Sequence, residues 1–321
     1  MQKPIVVVGS INLDLVVAAN HIPRVGETII GNSFNTFHGG KGANQAVAVA
    51  KLGYPVAMVG NVGSDAFGTQ LRHGLQHAGV DTDYVNAVEG PSGVALITTG
   101  RGGENNIVVV PGANGSLTPG VLEKAAAILE RSGFLLAQLE IPLESVEYLA
   151  QFAERHNIPL MLDPAPAREL SASLLRRVSW ITPNETETQE LIKTYFENDN
   201  AGYSAAAERL LDCGVKNVLL KLGSRGCLIA QGAFAKEHVP AFSVKAVDTT
   251  AAGDSFNGAL AVGLMRGFTV PQAAMFASAA AAISVTRPGA QPSMPTLAEV
   301  QAFLKERLGA EAPSFTVETP V

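Results

Sequence analysis

The chain has 321 residues, enough for one large α/β domain with insertions or for two small domains. Its 23 basic residues against 29 acidic ones leave a formal charge of −6 and a pI near 5.6, without the basic excess of a nucleic-acid binder. At 47% hydrophobic and 16% charged it is too apolar for disorder, while its longest apolar runs are Ala-rich and too short for a membrane span, so no nucleic acid and no membrane partner is expected.

MQKP runs straight into IVVVG, without the basic segment, apolar stretch and cleavage site of a secretory signal, and a cytoplasmic location is expected. An apolar strand is predicted at 5–8, and residues 13–37 then lack any helical period. A helix at 42–52, a strand at 56–60 and a helix at 65–78 follow. Between 84 and 111, VALITT and IVVVP flank the Gly-rich turn GRGGENN as in a hairpin. Next come a helix at 118–131, a strand at 134–139, a helix at 143–156, strands at 160–163 and 180–182, and helices at 184–194 and 204–213. Strands at 218–222 and 227–230 lead into three helices at 253–266, 270–285 and 297–308, with Pro119 and Pro271 in first turns, where proline is tolerated.

Apolar strands alternating with helices predict an α/β fold with a mainly parallel sheet covered on both faces. Residues 13–37 and 84–111 are expected to form a small β-subdomain inserted into one body of 1–309. It is either a lid over a site at the carboxyl ends of the strands or an extension of the sheet edge. Residues 310–321 are expected to be a loosely packed tail.

Cys213 and Cys227 are the only cysteines and form no CxxC pattern, which argues against a disulfide framework or a thiolate zinc site. His73 and His77 share a helix face but lack an HExxH context, so no zinc is expected there. Neither GxxxxGK[ST] nor GxGxxG occurs.

Three segments carry chemistry. In VDTTAAGDSFNGAL, Ala251, Ala252 and Gly253 have almost no side chain, and their N–H groups at a helix start can close around an anion. Asp254 either caps this helix or serves as a base beside the pocket, where a carboxylate can deprotonate a hydroxyl while the pocket holds a transferring phosphoryl group. In HGGKGANQAVAVAKL, Gly39, Gly40 and Gly42 permit close approach of backbone to a ligand, while Lys41 and Asn44 offer donors to hydroxyls. In GSINLD, Asn12 and Asp14 at a strand end form a donor–acceptor pair suited to adjacent sugar hydroxyls, or simply a turn.

Together with PRVGETIIG, QLEIPLESV, DPAPAREL, ITPNETE, LGSRG and VTRPGAQPS, these segments span Val6 to Ser293, and the chain resembles the ribokinase, or PfkB, family of carbohydrate kinases. The resemblance implies a ribokinase-like three-layer sandwich with a small β-sheet lid. It implies transfer of a phosphoryl group from ATP to O5 of D-ribose, with other sugars or nucleosides such as 2-deoxyribose or fructose as alternatives, and a noncatalytic sugar sensor as a rival. Asp254 would be the catalytic base, beside the pocket of Ala251, Ala252 and Gly253. Asn12, Asp14, Gly40, Lys41, Gly42, Ala43, Asn44 and Glu140, with Asp254 itself, would bind the sugar. Asn184 and Glu187 would organise phosphates and Mg²⁺, and Lys221, Leu222, Gly223, Ser224, Arg225 and Gly226, with Gly253 and Ser278, would bind nucleotide. Asp248, Thr250, Ser284, Arg287, Gly289 and Ser293 would hold K⁺, several through backbone carbonyls. A homodimer through the lid is implied too. The chain departs from the family where Lys221 replaces a small hydroxyl residue and where Ser278 replaces a His or Asn. The Lys221 ammonium could add a cation near the phosphates or point into solvent, and the sequence does not choose.

Overall fold

The computed structural model describes residues 2–102, 104–232 and 235–309. The expected tail at 310–321 lies outside the described residues.

Thirteen strands are described: β1 Ile5–Val8, β2 Asn12–Ala18, β3 Ser33–Gly39, β4 Val56–Gly63, β5 Asp81–Val88, β6 Gly93–Thr99, β7 Asn105–Val110, β8 Phe134–Ala137, β9 Leu160–Leu162, β10 Trp180–Ile181, β11 Asn217–Lys221, β12 Cys227–Gln231 and β13 Ala235–Val239. Nine of them make one sheet in the order β13-β12-β11-β10-β9-β8-β1-β4-β5. Every pairing in it is parallel except those of β12, which runs antiparallel to β11 and β13. The other four form a small separate sheet, β3-β2-β6-β7.

The residue alternation of β1 explains the three layers. Ile5 and Val7 point into one apolar core with the helices Lys41–Lys51, Ala252–Met265, Val270–Ser284 and Leu297–Leu308, while Val6 and Val8 point into a second core with Leu143–His156 and Asn200–Asp212. All four side chains are fully buried, as a strand covered on both faces requires. From β1 the chain goes to β4 on one side and later returns to β8 on the other. Such a reversal opens a crevice at the carboxyl ends of β1 and β8, where the loops diverge. Among the described residues, no helix is long and apolar enough to cross a membrane.

Two edge strands depart from the sequence reading. Residues 84–88, expected in the lid, belong to β5, which extends the large sheet beside β4. Asp81–Val88 alternates exposed and covered positions, as an edge strand does, and so resembles the half-exposed lid strands in composition. β13, AKEHV, is too polar to register as a strand and is held by its antiparallel partner β12. The helix expected at 118–131 is interrupted where Ala125 adopts φ −90° and ψ 4°, giving Pro119–Lys124 and Ala126–Arg131.

Candidate active site

The helix Ala252–Met265 carries the centre of the site. Ala251 caps it at φ 58° and ψ 16°, a left-handed conformation that costs a non-glycine residue about 1 kcal/mol, and so directs the Ala251–Gly253 turn into the crevice. Close packing fixes the helix. A Cβ on Gly258 would lie 2.6 Å from Ala48 Cβ, and one on Gly263 would lie 2.9 Å from Ala273 Cβ. Only glycines let this helix approach its two neighbours so closely, which brings Asp254 against the helix Lys41–Lys51.

Asp254 is buried in the first turn. Its Oδ2 accepts from Asn44 Nδ2 at 2.9 Å and its Oδ1 from Gln45 Nε2 at 3.2 Å. Gln45 Nε2 also donates to Asp163 Oδ2 at 3.0 Å, and Gln138 Nε2 donates to Gln45 Oε1 at 2.8 Å. Asn44 is itself held by Gln291, whose Nε2 donates to Asn44 Oδ1 at 3.2 Å. Burial pushes the Asp254 carboxyl up to about 6; the Lys41 ammonium and these hydrogen bonds oppose the shift, and the Asp163 charge reinforces it. Lys41 is held above the ordinary lysine range: burial works against its charge, but the carboxylates of Asp254, Asp163, Glu140 and Glu187 outweigh it.

Across the crevice, the start of β2 presents Asn12 and Asp14. Asn114 clamps this turn: its Nδ2 donates to Asn12 Oδ1 at 2.7 Å, and its Oδ1 accepts from Ile11 N at 2.9 Å. Burial, then the charges of Glu140 and Asp254, push the Asp14 carboxyl up to about 7. Glu140 Oε2 accepts from Ser10 Oγ at 2.5 Å and from Lys41 N at 3.1 Å. Gly40 sits at φ +87°, and its missing Cβ would meet Asn12 N at 2.7 Å. A Cβ on Gly42 would lie 2.7 Å from Ser10 N. Side chains at either position would push the Gly-rich loop off the loop that follows β1.

Asn184 and Glu187 form a reciprocal helix cap: Asn184 Oδ1 accepts from Glu187 N and Glu187 Oε2 accepts from Asn184 N, each at 2.8 Å. Burial raises the Glu187 carboxyl above its ordinary value; the Lys221 ammonium opposes this, and Asp163 adds to it. These three groups therefore share one electrostatic neighbourhood. Lys221 points inward, its Nζ 3.0 Å from Asp163 Oδ1, which answers the question its sequence position left open. Residues Gly223–Arg225 form a 3-10 turn, and Gly226 takes φ +95° where a Cβ would collide with Val239 O. The Leu222 N–H closes that turn on Gly226 O at 2.8 Å. Arg225 pairs with Glu185 and lies 5.3 Å over the Tyr203 ring. Ser278 is buried and hydrogen-bonds Cys227, whose thiol burial pushes up to about 12.

A second loop pair lies behind the Ala251–Gly253 turn. Asp248 Oδ1 accepts from Thr250 N at 2.9 Å and Thr250 Oγ1 at 2.6 Å, and Oδ2 accepts from Gly289 N at 2.8 Å. Burial works against the Asp248 charge, but these donors hold its carboxyl below the ordinary range. Arg287 turns its side chain away to Glu299 at 2.6 Å, while Ser284 and Ser293 hydroxyls cap carbonyls of their own turns.

Residues 2–297 match the family model for pfkB family carbohydrate kinases. The chain belongs to the PfkB family. This PfkB-family kinase is 40% identical over 306 residues to the ribokinase of Haemophilus influenzae, covering 95% of this chain and 99% of that one. It is 39% identical over 303 residues to the deoxyribokinase of Salmonella typhi, with 94% and 98% covered. The structure of Arabidopsis thaliana ribokinase complexed with ribose and ATP superposes with a TM-score of 0.90 at 36% identity, covering 95% of this chain and 99% of that one.

Sequence reasoning singled out Asp254, Asn44 and Asp14 but passed over Gln45, Asp163, Gln138 and Asn114. All four are buried: Gln138 and Asp163 directly follow the apolar strands β8 and β9, and Gln45 interrupts an Ala-rich helix, which are signals a sequence offers, whereas Asn114 stands in the short turn Gly112–Ser116 and offers none.

Proposed function

We propose that this PfkB-family enzyme phosphorylates D-ribose at O5 with ATP, giving D-ribose 5-phosphate. The observation that carries the reading is the Asp254 carboxylate, buried beside the Ala251–Gly253 turn and facing Asn12, Asp14 and Glu140 across one crevice. Relatives named ribokinase, and a similar structure complexed with ribose and ATP, support the choice of substrates.

In this reading Asn12, Asp14, Gly40–Asn44 and Glu140 bind the sugar hydroxyls, with carboxylates accepting and Lys41 and Asn44 donating. Asp254 accepts the O5 proton. Pushed up to about 6, it is ionised at neutral pH yet basic enough to take a proton in the transition state. The N–H groups of the Ala251–Gly253 turn, of which that of Ala252 donates to Thr249 O at 3.2 Å before substrate arrives, stabilise charge on the transferring group, and closure of the lid excludes water so that hydrolysis does not compete. Lys221–Gly226 and Ser278 form the nucleotide side.

Asn184 and Glu187, whose amide and carboxylate oxygens are of the kind Mg²⁺ prefers, would hold that ion through water. When bound, Mg²⁺ neutralises phosphate charge. The Asp248 carboxylate is met by the N–H groups of Thr250 and Gly289 and the Thr250 hydroxyl rather than by the Arg287 cation, and K⁺ would offset its charge, held by Asp248, Thr250, Ser284, Arg287, Gly289 and Ser293 through carboxylate, hydroxyl and carbonyl oxygens. That ion would stiffen the Ala251–Gly253 turn and touch no substrate.

The small β-sheet would act as the lid of a single kinase domain at 1–309 and as its dimer surface. β7 is exposed along its length, with Ile107, Val108, Val109 and Val110 each between 44% and 55% exposed, and a second copy would cover this apolar edge. Sedimentation equilibrium checks this, and a monomer at micromolar concentration contradicts it. ATP as donor fits action in the cytoplasm.

ADP release measured with ribose, 2-deoxyribose and fructose tests the reading. Ribose should give the highest kcat/KM. The deoxyribokinase relative makes 2-deoxyribose the second reading, and a higher kcat/KM for it would overturn the first.

A further inference from the structure

Lys221 ends β11, and its backbone is fixed at the mouth of the crevice. Its N–H donates to Pro183 O at 2.8 Å, and the residue bridges Asn184 as a parallel neighbour. The side chain then runs inward to Asp163, leaving 14% of Lys221 and 3% of Asp163 exposed. A Cβ built on Gly253 would lie 3.4 Å from Lys221 Nζ, so the ammonium lies over the last residue of the Ala251–Gly253 turn. An ammonium has three N–H donors. Asp163 accepts one, and the hydrogen bonds of the described residues include no second acceptor. Gln45 Nε2 spans Asp163 Oδ2 and Asp254 Oδ1, so the cation and the carboxylate of the Ala252–Met265 helix are held by one shared side chain.

We propose that Lys221 is a catalytic residue of phosphoryl transfer, its ammonium donating to a nonbridging oxygen of the transferring group above Gly253. The proposal rests on the kinase reading given above. In that step the bond between sugar O5 and the γ-phosphorus forms, and the bond from that phosphorus to the β,γ-bridging oxygen breaks with its electron pair leaving on ADP. The O5 proton passes to Asp254. Lys221 exchanges no proton in this step and contributes only charge and hydrogen bonds, aimed where the moving phosphoryl group passes. Asp163 is a positioning residue that aims the ammonium, with Gln45 setting its distance from the base. A lysine present only to neutralise Asp163 would instead need no free donors beside Gly253.

Lys221→Met and Lys221→Arg in the full chain separate the two roles. For Lys221→Met, kcat should fall by at least about 10²-fold with ribose KM within about 3-fold. By calorimetry, affinity for an imido-bridged, non-hydrolysable ATP analogue should fall about 10-fold more than ADP affinity, because only the analogue carries the terminal phosphoryl group. Lys221→Arg should recover part of both losses. A Lys221→Met enzyme with kcat within about 3-fold of wild type overturns the proposal. So does a parallel loss of ribose affinity, ADP affinity and Tm, the pattern of a purely structural ion pair. Asp254→Asn, run alongside, should lose turnover while keeping the analogue-to-ADP affinity ratio. If the wild-type protein releases no ADP with any sugar, the kinase reading fails, and the affinity ratio in Lys221→Met still decides for or against the contact.

Discussion

Replacing Asp254 by Asn keeps the side-chain shape and removes the proton acceptor, and the surrounding network sets what else it costs. Both carboxylate oxygens accept hydrogen bonds, from Asn44 Nδ2 at 2.9 Å and Gln45 Nε2 at 3.2 Å. An amide can accept through one atom only, so its NH₂ must face one of these donors. Neither neighbour can turn over freely: Gln45 Oε1 is held by Gln138 at 2.8 Å and Asn44 Oδ1 by Gln291 at 3.2 Å. One hydrogen bond is therefore lost inside a buried site, a cost of about 1–3 kcal/mol in folding stability. Loss of a general base costs a further factor of about 10²–10⁴ in rate, or roughly 3–5 kcal/mol of transition-state stabilisation. Steady-state ADP release at saturating ribose and ATP measures the second quantity, and ribose titration by calorimetry shows whether the site survives. We expect kcat to fall by at least about 10²-fold with ribose affinity changed by less than about 10-fold. A kcat within a few-fold of wild type refutes the assignment of Asp254 as base, and lost ribose binding with lost folding shows that the carboxylate acts chiefly as a structural acceptor.

Asp14→Ala should weaken ribose by about 2–4 kcal/mol in calorimetry, because hydroxyls are left unpaired in a closed site, while ATP affinity stays as it was. The pH profile of kcat/KM for ribose should level off above about pH 8 and fall below it as Asp14, pushed up to about 7, and Asp254, pushed up to about 6, take up protons; a profile flat down to pH 5 contradicts both roles. Since both folded-state values are raised, these carboxyls contribute stability that is complete below their unfolded values near 4 and lost as pH rises through 6 to 7, opposite in direction to activity. Rates should rise with KCl and much less with NaCl at equal ionic strength, and Asp248→Asn should blunt the response; equal rates in potassium-free sodium buffer remove the ion from the mechanism.

The parts of this fold that a sequence shows best are those with local causes. The helix 143–156 and the helix 297–308 coincide with their expected bounds because apolar period and flanking turn residues lie within each segment. Asp254 was visible because three small residues before a carboxylate are unusual at a helix start. Gln45 and Asp163 were not: one stands in a helix and the other after a strand, 118 positions apart, and their contact exists only once the strand order reverses beside β1. Lys221 was ambiguous for the same reason, since its direction depends on Asp163 rather than on its neighbours in β11. The edge strands β5 and β13 were hidden because an edge needs only one covered face, and polar residues fill the other.

As the base beside the Ala251–Gly253 turn, Asp254 would direct the phosphoryl group to the primary hydroxyl of ribose. Phosphorus and carbon NMR of the reaction mixture tests it most directly by locating the new phosphate on the sugar carbon skeleton. A single product is expected, its C5 coupled to phosphorus, formed one for one with ADP. A product phosphorylated at C1, or inorganic phosphate released at the same rate with and without ribose, would contradict it.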